Sequence, residues 1–366
     1  MKRILTLLYV TVLATVFSAC TKEIDFHRND IKPQLLMNAQ MTVGDTLHIV
    51  YLAISKDLCI DKINSGAVKC YINGDLAAEG LLDDRDDELF VTDEKVSAYP
   101  QKKASEAKQT RYSFKADFKP GDVVRIEAEA DGGTYKAFSE VTVPKAPSFN
   151  ITDTLYQKNP AYPDSFNEGN YRIRLKGKDM SSDNDYFRIK AGYSRIDRFF
   201  KNAIESEGAR EWTAENEFKY IALDKGNDPI LNDGAPSEDI DIAGASENSF
   251  RVFSDKMFSG GSFNIGFTIE SYMANNGPAT SEAFDKADSE TTLSVILCGI
   301  TEDEYYYLKA LSIYNYLDGD TSITEPVSFP NNVEGGVGLV SICTPAEATV
   351  KFHRTFSGGG GIIWTD

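Results

Sequence analysis

The cysteine at position 20 is the residue whose surroundings most plainly call for covalent chemistry. It follows Phe17-Ser18-Ala19, and the two small residues before it suit a signal peptidase pocket. Lys2 and Arg3 make a basic start, and Ile4 to Phe17 is an apolar run too short to span a membrane comfortably but right for a secretory core. Residues 1–19 are therefore expected to be a lipoprotein signal peptide, with cleavage before Cys20 freeing an amino group and a thiol for acylation. Several acyl chains, palmitate among them, would hold the protein to a membrane far more firmly than one. Residues 20–33 then form the lipidated tether.

Four further cysteines, Cys59, Cys70, Cys298 and Cys343, make an even number in an exported chain. Cys59 with Cys70 and Cys298 with Cys343 are candidate disulfides, each within one expected domain. Buried free thiols that pack as small hydrophobes are the alternative, because spacing does not show whether two Cβ atoms approach to the ~3.8 Å a bridge needs.

Catalytic groups are sparse. The three histidines are His27, in the tether, and His48 and His353, in expected strands far apart in sequence. No HExxH, GxSxG, P-loop or dinucleotide glycine pattern occurs, so no enzyme and no cofactor are expected. An unrecognised hydrolase is the remaining catalytic alternative. The acidic run Asp83-Asp84-Arg85-Asp86-Asp87-Glu88 offers hard oxygens to calcium, but it lacks EF-hand spacing and reads as a solvated loop. Asp318-Gly319-Asp320 and residues 179–185 read the same way. Gly335, Gly336 and Gly338 precede a strand with no Walker lysine after them, so their expected role is structural, at a bulge or sheet corner. Tyr305, Tyr306, Tyr307, Tyr314 and Tyr316 could stack on sugars, although half of them should face the core of an amphipathic helix.

The elements that would position these groups are mostly strands. From Leu35 to Val143 apolar and polar residues alternate, as in Val68, Cys70 and Ile72 before the Asn73-Gly74 turn and in Val124, Ile126, Ala128 and Ala130. This predicts an immunoglobulin-like β-sandwich over residues 34–144. Pro144 and Pro147 break strand pairing and set a linker at 145–150. Residues 151–356 form a second β-rich domain, with strands around Tyr171–Lys176, Phe187–Tyr193 and Phe263–Ile269. Thr301 with Glu304 makes a capping box, which predicts one helix near 302–317 with Tyr307, Leu308, Leu311 and Tyr314 as its stripe. Residues 203–217 carry charge without a period, 224–245 read as a long loop, and 357–366 as a flexible tail.

Net charge is −18, and removal of Lys2 and Arg3 makes the mature chain more acidic still. Such acidity argues against nucleic acid and anionic headgroups and favours basic or neutral partners. The membrane is expected to be reached through the lipid alone, since no second apolar run of spanning length occurs.

Two stretches resemble a known family. Cys20-Thr21-Lys22-Glu23-Ile24-Asp25 followed by Lys32-Pro33-Gln34-Leu35-Leu36-Met37-Asn38-Ala39 is similar to the opening of a Bacteroidota lipoprotein family, domain of unknown function 4249. Glu325-Pro326-Val327 followed by Asn331-Asn332-Val333-Glu334-Gly335-Gly336-Val337-Gly338-Leu339 resembles its closing signature, including Asn332 and the three glycines. The departures are Ala39 in place of a usual glycine and Leu339-Val340-Ser341 where an aromatic is more frequent. The resemblance implies a surface-exposed outer-membrane lipoprotein with no established activity, a TonB-dependent receptor as partner, and an acidic export tag at Lys22-Glu23-Ile24-Asp25. A free-standing adhesin or glycan-binding protein is the alternative, and the ligand is left unnamed.

Overall fold

The computed structural model describes residues 32–56, 59–85, 108–161, 169–179, 184–202, 208–226, 228–232, 248–275, 277–278, 280, 284–316 and 328–357. The expected signal peptide, Cys20, His27, the tail beyond 357 and the Glu325-Pro326-Val327 part of the closing motif lie outside these residues. So do Asp318-Gly319-Asp320, 86–88 of the acidic run, 180–183 and 233–247.

The protein is mainly β. Its first half contributes β1 (Gln34–Thr42), β2 (Leu47–Lys56), β3 (Cys59–Asp61), β4 (Gly66–Ile72), β5 (Asp75–Glu79), β6 (Leu81–Leu82), β7 (Thr110–Lys115), β8 (Val123–Ala130) and β9 (Tyr135–Thr142). The second half adds β10 (Ser148–Lys158), β11 (Gly169–Lys178), β12 (Tyr186–Lys201), β13 (Arg210–Ile221), β14 (Val252–Ser254) and β15 (Ser262–Glu270). After the short helix α1 (Tyr272–Asn275) come β16 (Lys286–Ile300), helix α2 (Glu302–Tyr316), β17 (Gly336–Val337) and β18 (Val340–Ser357).

One 11-stranded sheet runs through both halves, in the order β13-β12-β16-β18-β1-β2-β7-β6, with β14 beside β12, β17 beside β1 and β3 beside β2. In the first half it faces the four-stranded sheet β5-β4-β8-β9, and in the second the three-stranded sheet β10-β11-β15. Period-two alternation explains both interfaces, since every second side chain of a strand points to the same face. Leu35, Met37, Ala39 and Met41 of β1 meet Val68, Cys70, Val124, Ile126 and Ala128 in the first core. Tyr171, Ile173 and Leu175 of β11 and Phe263, Ile265, Phe267 and Ile269 of β15 meet Phe187, Ile189, Leu293, Val295 and Leu297 in the second.

The strand that joins the halves is β18. Residues 340–343 pair in parallel with β1, from Ala39↔Val340 to Thr42↔Cys343, and residues 344–357 pair antiparallel with β16, from Gly299↔Thr344 to Lys286↔Ser357. Residues 34–144 therefore do not complete the first sandwich alone, because its front sheet takes two strands from the end of the chain. The expected linker at 145–150 is also shorter than supposed, with β10 already starting at Ser148. Of residues 203–217, read as charge without period, 210–217 belong to the edge strand β13, and 203–207 lie outside the described residues. Nearly all of β13 is exposed on both faces, so burial never imposed an alternation on it.

Helix α2 matches its predicted span closely. Its capping bond is present, Glu304 N–H donating to Thr301 Oγ1 at 3.2 Å. The buried face is Tyr305, Leu308 and Ser312, with Tyr307 and Leu311 half-buried beside it. It covers Tyr186, Ile300 and Cys343, and the Tyr186 hydroxyl donates to Glu302 Oε1 at 2.7 Å. No described helix is long and apolar enough to cross a membrane.

His48 is buried in the first core, its ring stacked on Phe118 at 4.3 Å and its Nε2 3.1 Å from the Ala116 carbonyl. Burial lowers its pKa below the usual 6.5. The folded state then holds the imidazole neutral while the unfolded chain takes up a proton, so stability falls as the pH drops below about 6.5. His48→Phe is expected to flatten the decline in urea-unfolding free energy between about pH 7.5 and 5.5. An equally steep decline in the variant would rule His48 out as the titrating group.

Candidate functional site

Segment 331–339 is the most densely bonded of the sequence-predicted positions. Asn332 acts as a substitute peptide for the start of β18, its Nδ2 donating to Val340 O at 2.7 Å and its Oδ1 accepting from Val340 N at 2.9 Å. The same Nδ2 lies 3.2 Å from Asp303 Oδ2 on α2. Asn331 Oδ1 accepts from Gly338 N at 2.9 Å and Val333 N at 3.2 Å. Across the sheet Asn38 Oδ1 accepts from Leu339 N at 3.0 Å, and Phe138 and Glu334 exchange both backbone bonds, at 3.0 and 2.8 Å. The segment thus fastens β1, β9 and α2 to the last strand.

The glycines belong to this clasp. Gly338 has φ +135°, and a Cβ there would stand 2.1 Å from Met37 O. Gly336 pairs with Leu35, and its Cβ would stand 2.4 Å from that residue's carbonyl. Gly335, at φ +76°, would place a Cβ 2.6 Å from Lys136 O. Backbone approaches this close admit no side chain.

All four described cysteines are free thiols. Cys59 is exposed on β3 while Cys70 is buried in the first core on β4, so their side chains face different surroundings. Burial pushes the Cys70 thiol up to about 12. Cys298 and Cys343 do meet under α2, sharing a hydrogen bond that, together with burial, holds the Cys343 proton well above its ordinary range. Cys343 Sγ also lies 3.5 Å from Thr42 Oγ1.

The remaining candidates are spread over the surface and the cores. Tyr305 packs on Tyr186 at 5.0 Å, and Tyr306 and Tyr314 are exposed. His353 is exposed with Nδ1 3.7 Å from Glu290 Oε2, far in sequence from buried His48. In the acidic run, Asp83 is held down to about 2 by its hydrogen bond with Arg85, with Arg111 3.2 Å away. Among the described residues no group of three His, Cys, Asp or Glu side chains is placed to hold a metal ion.

A groove of 610 Å³ opens on the outer face of the three-stranded sheet. Arg172 and Arg174 of β11, Thr152 and Gln157 of β10, and Asn264 and Thr268 of β15 line it. Gly266 leaves its floor without a side chain, and residues 224–226 with Asp228 and Pro229 form one wall. The carboxylates of that wall are occupied by the protein itself. Asp228 Oδ2 accepts from Gly266 N at 2.8 Å and its Oδ1 from Ile230 N at 3.0 Å, while Asp224 Oδ1 accepts from Gly226 N at 2.9 Å. The alternation Arg172, Arg174, Lys176 was visible in the sequence, but only as the polar half of a strand. The overlooked signal was a run of one sign in an acidic chain.

Gly338→Ala is expected to lower unfolding free energy by about 2 to 4 kcal/mol, combining positive-φ strain with backbone displacement. Asn332→Ala, which strands both polar groups of Val340, is expected to cost about 1 to 3 kcal/mol. Urea titration measures both, and a change under about 0.5 kcal/mol for Gly338→Ala would refute the clasp. In a thiol titration of the folded protein, Cys59 is expected to react promptly and Cys70, Cys298 and Cys343 only on unfolding. Prompt reaction of any of those three would contradict their burial.

No curated protein matches the chain. Among solved structures, a DUF4785 family protein from Legionella pneumophila subsp. pneumophila str. Philadelphia 1 is similar over 73% of this chain and 52% of that one, at 9% identity and a TM-score of 0.20. The chain therefore spans about half the length of that structure. A family model, Domain of unknown function (DUF4249), matches residues 21–349, which include both β1 and the clasp. On that match, spanning nearly the whole described body, the chain belongs to the DUF4249 family.

Proposed function

We propose that this chain is a surface-exposed outer-membrane lipoprotein of the Bacteroidota, held by acylated Cys20, that binds rather than transforms its ligand. It works beside a TonB-dependent receptor in nutrient capture or gating. In this reading residues 34–144, completed by the closing strands, act as an immunoglobulin-like spacer, and the C-terminal sandwich presents the binding surface. The observation that supports it best is the groove on the outer face of β10-β11-β15, a recess of ligand-binding size with Arg172, Arg174, Gln157 and Asn264 in its lining and carried on strands. The continuous sheet adds to it, because a groove on one sandwich stays oriented relative to the other when both share a strand.

A free-standing adhesin or glycan-binding protein is the second reading, favoured by the same groove if no receptor accompanies the protein. A tagged copy, mildly cross-linked and recovered from gently solubilised outer membranes, is expected to bring down a barrel receptor at near-equal yield by mass spectrometry. Recovery of the protein alone would overturn the receptor reading in favour of the second.

A further inference from the structure

Strand β11 carries an unusual row. Its inward residues Tyr171, Ile173 and Leu175 are buried in the second core, and its outward residues Arg172, Arg174, Lys176 and Lys178 are all exposed. At period two these four cations stand about 7 Å apart along one line about 20 Å long. The chain as a whole carries 56 acidic against 38 basic residues, so four consecutive outward cations run against its composition. Among the described residues none of the four side chains makes a hydrogen bond or an ion pair.

The neighbours keep the row open. On the β15 side the register places Thr268, Gly266, Asn264 and Ser262 opposite the four cations, all uncharged. On the β10 side Asp153 stands beside Arg174, without an ion pair between them, and Asn150 stands beside Lys176. Glu270 lies at the far end of β15, opposite Asn170 rather than a cation. The two wall carboxylates, Asp224 and Asp228, accept from backbone amides, Asp224 also from the Thr268 hydroxyl, and neither pairs with a cation of the row. Asp179 directly follows Lys178 and accepts from the Gly260 amide.

We infer that this face binds an acidic polysaccharide, a sugar chain bearing carboxylates or sulfates, laid along β11 over the groove. The inference rests on the capture reading above and names its ligand class. Arginine suits such groups because its planar fork meets a carboxylate or sulfate with two parallel hydrogen bonds. The amides of Gln157 and Asn264 match the hydroxyls between the charges, and the Thr152 and Thr268 hydroxyls, which donate to Arg174 O and Asp224 Oδ2, can still accept from them. An acidic protein partner fits less well. Protein interfaces are centred on apolar or aromatic anchors in desolvated pockets, whereas the outward side chains along β11 and β15 here are four cations, Thr268, Asn264 and Ser262, with no aromatic among them. The net charge that argued for basic or neutral partners is an average, and this face departs from it.

The test is binding of the purified full chain to heparin and to polygalacturonate by calorimetry, with dextran and poly-glutamate as comparisons. At low salt the chain is expected to bind at least one acidic polysaccharide, to ignore dextran, and to lose affinity as sodium chloride rises. Arg172→Gln with Arg174→Gln is expected to weaken binding at least about tenfold with an unchanged melting temperature. Lys176→Gln with Lys178→Gln should weaken it independently, and Lys115→Gln, on the other sandwich, should not. Absence of binding to both acidic polysaccharides, indifference to both glutamine pairs, or equal affinity for poly-glutamate would each overturn the inference. A binding failure leaves the recovery of a barrel receptor untouched, and a failed recovery leaves the binding result untouched, so the two readings fail separately.

Discussion

Everything in this fold depends on the divided loyalty of the last strand. For four residues β18 is a parallel partner of β1, and for the next fourteen an antiparallel partner of β16. Parallel pairing cannot be made by a tight turn, so it needs a long excursion between its strands, and here that excursion is nearly the entire protein. Residues about 300 positions apart must find each other before the front sheet of the first sandwich is whole. Loop closure over such a length is entropically costly, and the side chains that secure it, Asn38, Asn331 and Asn332, offset that cost with hydrogen bonds an ordinary ladder would not supply.

This arrangement gives a physical meaning to the two family motifs. The opening segment Lys32–Ala39 and the closing segment Asn331–Leu339 are remote in sequence and adjacent in space, paired as Leu35↔Gly336 and Leu36↔Val337, with Ala39 N–H donating to Leu339 O. Each glycine of the closing segment approaches a carbonyl, of β1 or of β9, too closely for a Cβ. The motifs are two sides of one joint, which accounts for glycines that resemble a nucleotide loop in spelling and serve as a hinge seat in space.

Much of the architecture was legible wherever one face of a strand is buried. Tyr171-Ile173-Leu175 and Phe263-Ile265-Phe267-Ile269 announce their strands because burial demands alternation, and Thr301 with Glu304 announces the helix because orphan amides demand a cap. The failures share one cause. Strand β13 is a sheet edge exposed on both faces, with nothing to select apolar residues at alternate positions, and in the edge strand β10 only the half-buried Phe149, Ile151 and Tyr156 mark an inward face, interrupted by a bulge after Ile151. The joining of two sandwiches into one sheet was equally hidden, because strand pairing across 300 residues leaves no local trace. The groove was half legible, since its cations were counted as the wet face of a strand before the register showed them ranged beside uncharged partners on β15.

The central position of β1 also sets how the molecule would answer a pull. Strand β1 is bonded on one flank to β2 and on the other to β17 and β18, so tension applied through the residues that lead into it acts along the strand axis. Loaded this way, the ladder bonds on both flanks bear the force together, in shear, instead of opening one after another as at a peeled edge. A body joined to a surface through this end would therefore be held by a strand whose two flanks share the load.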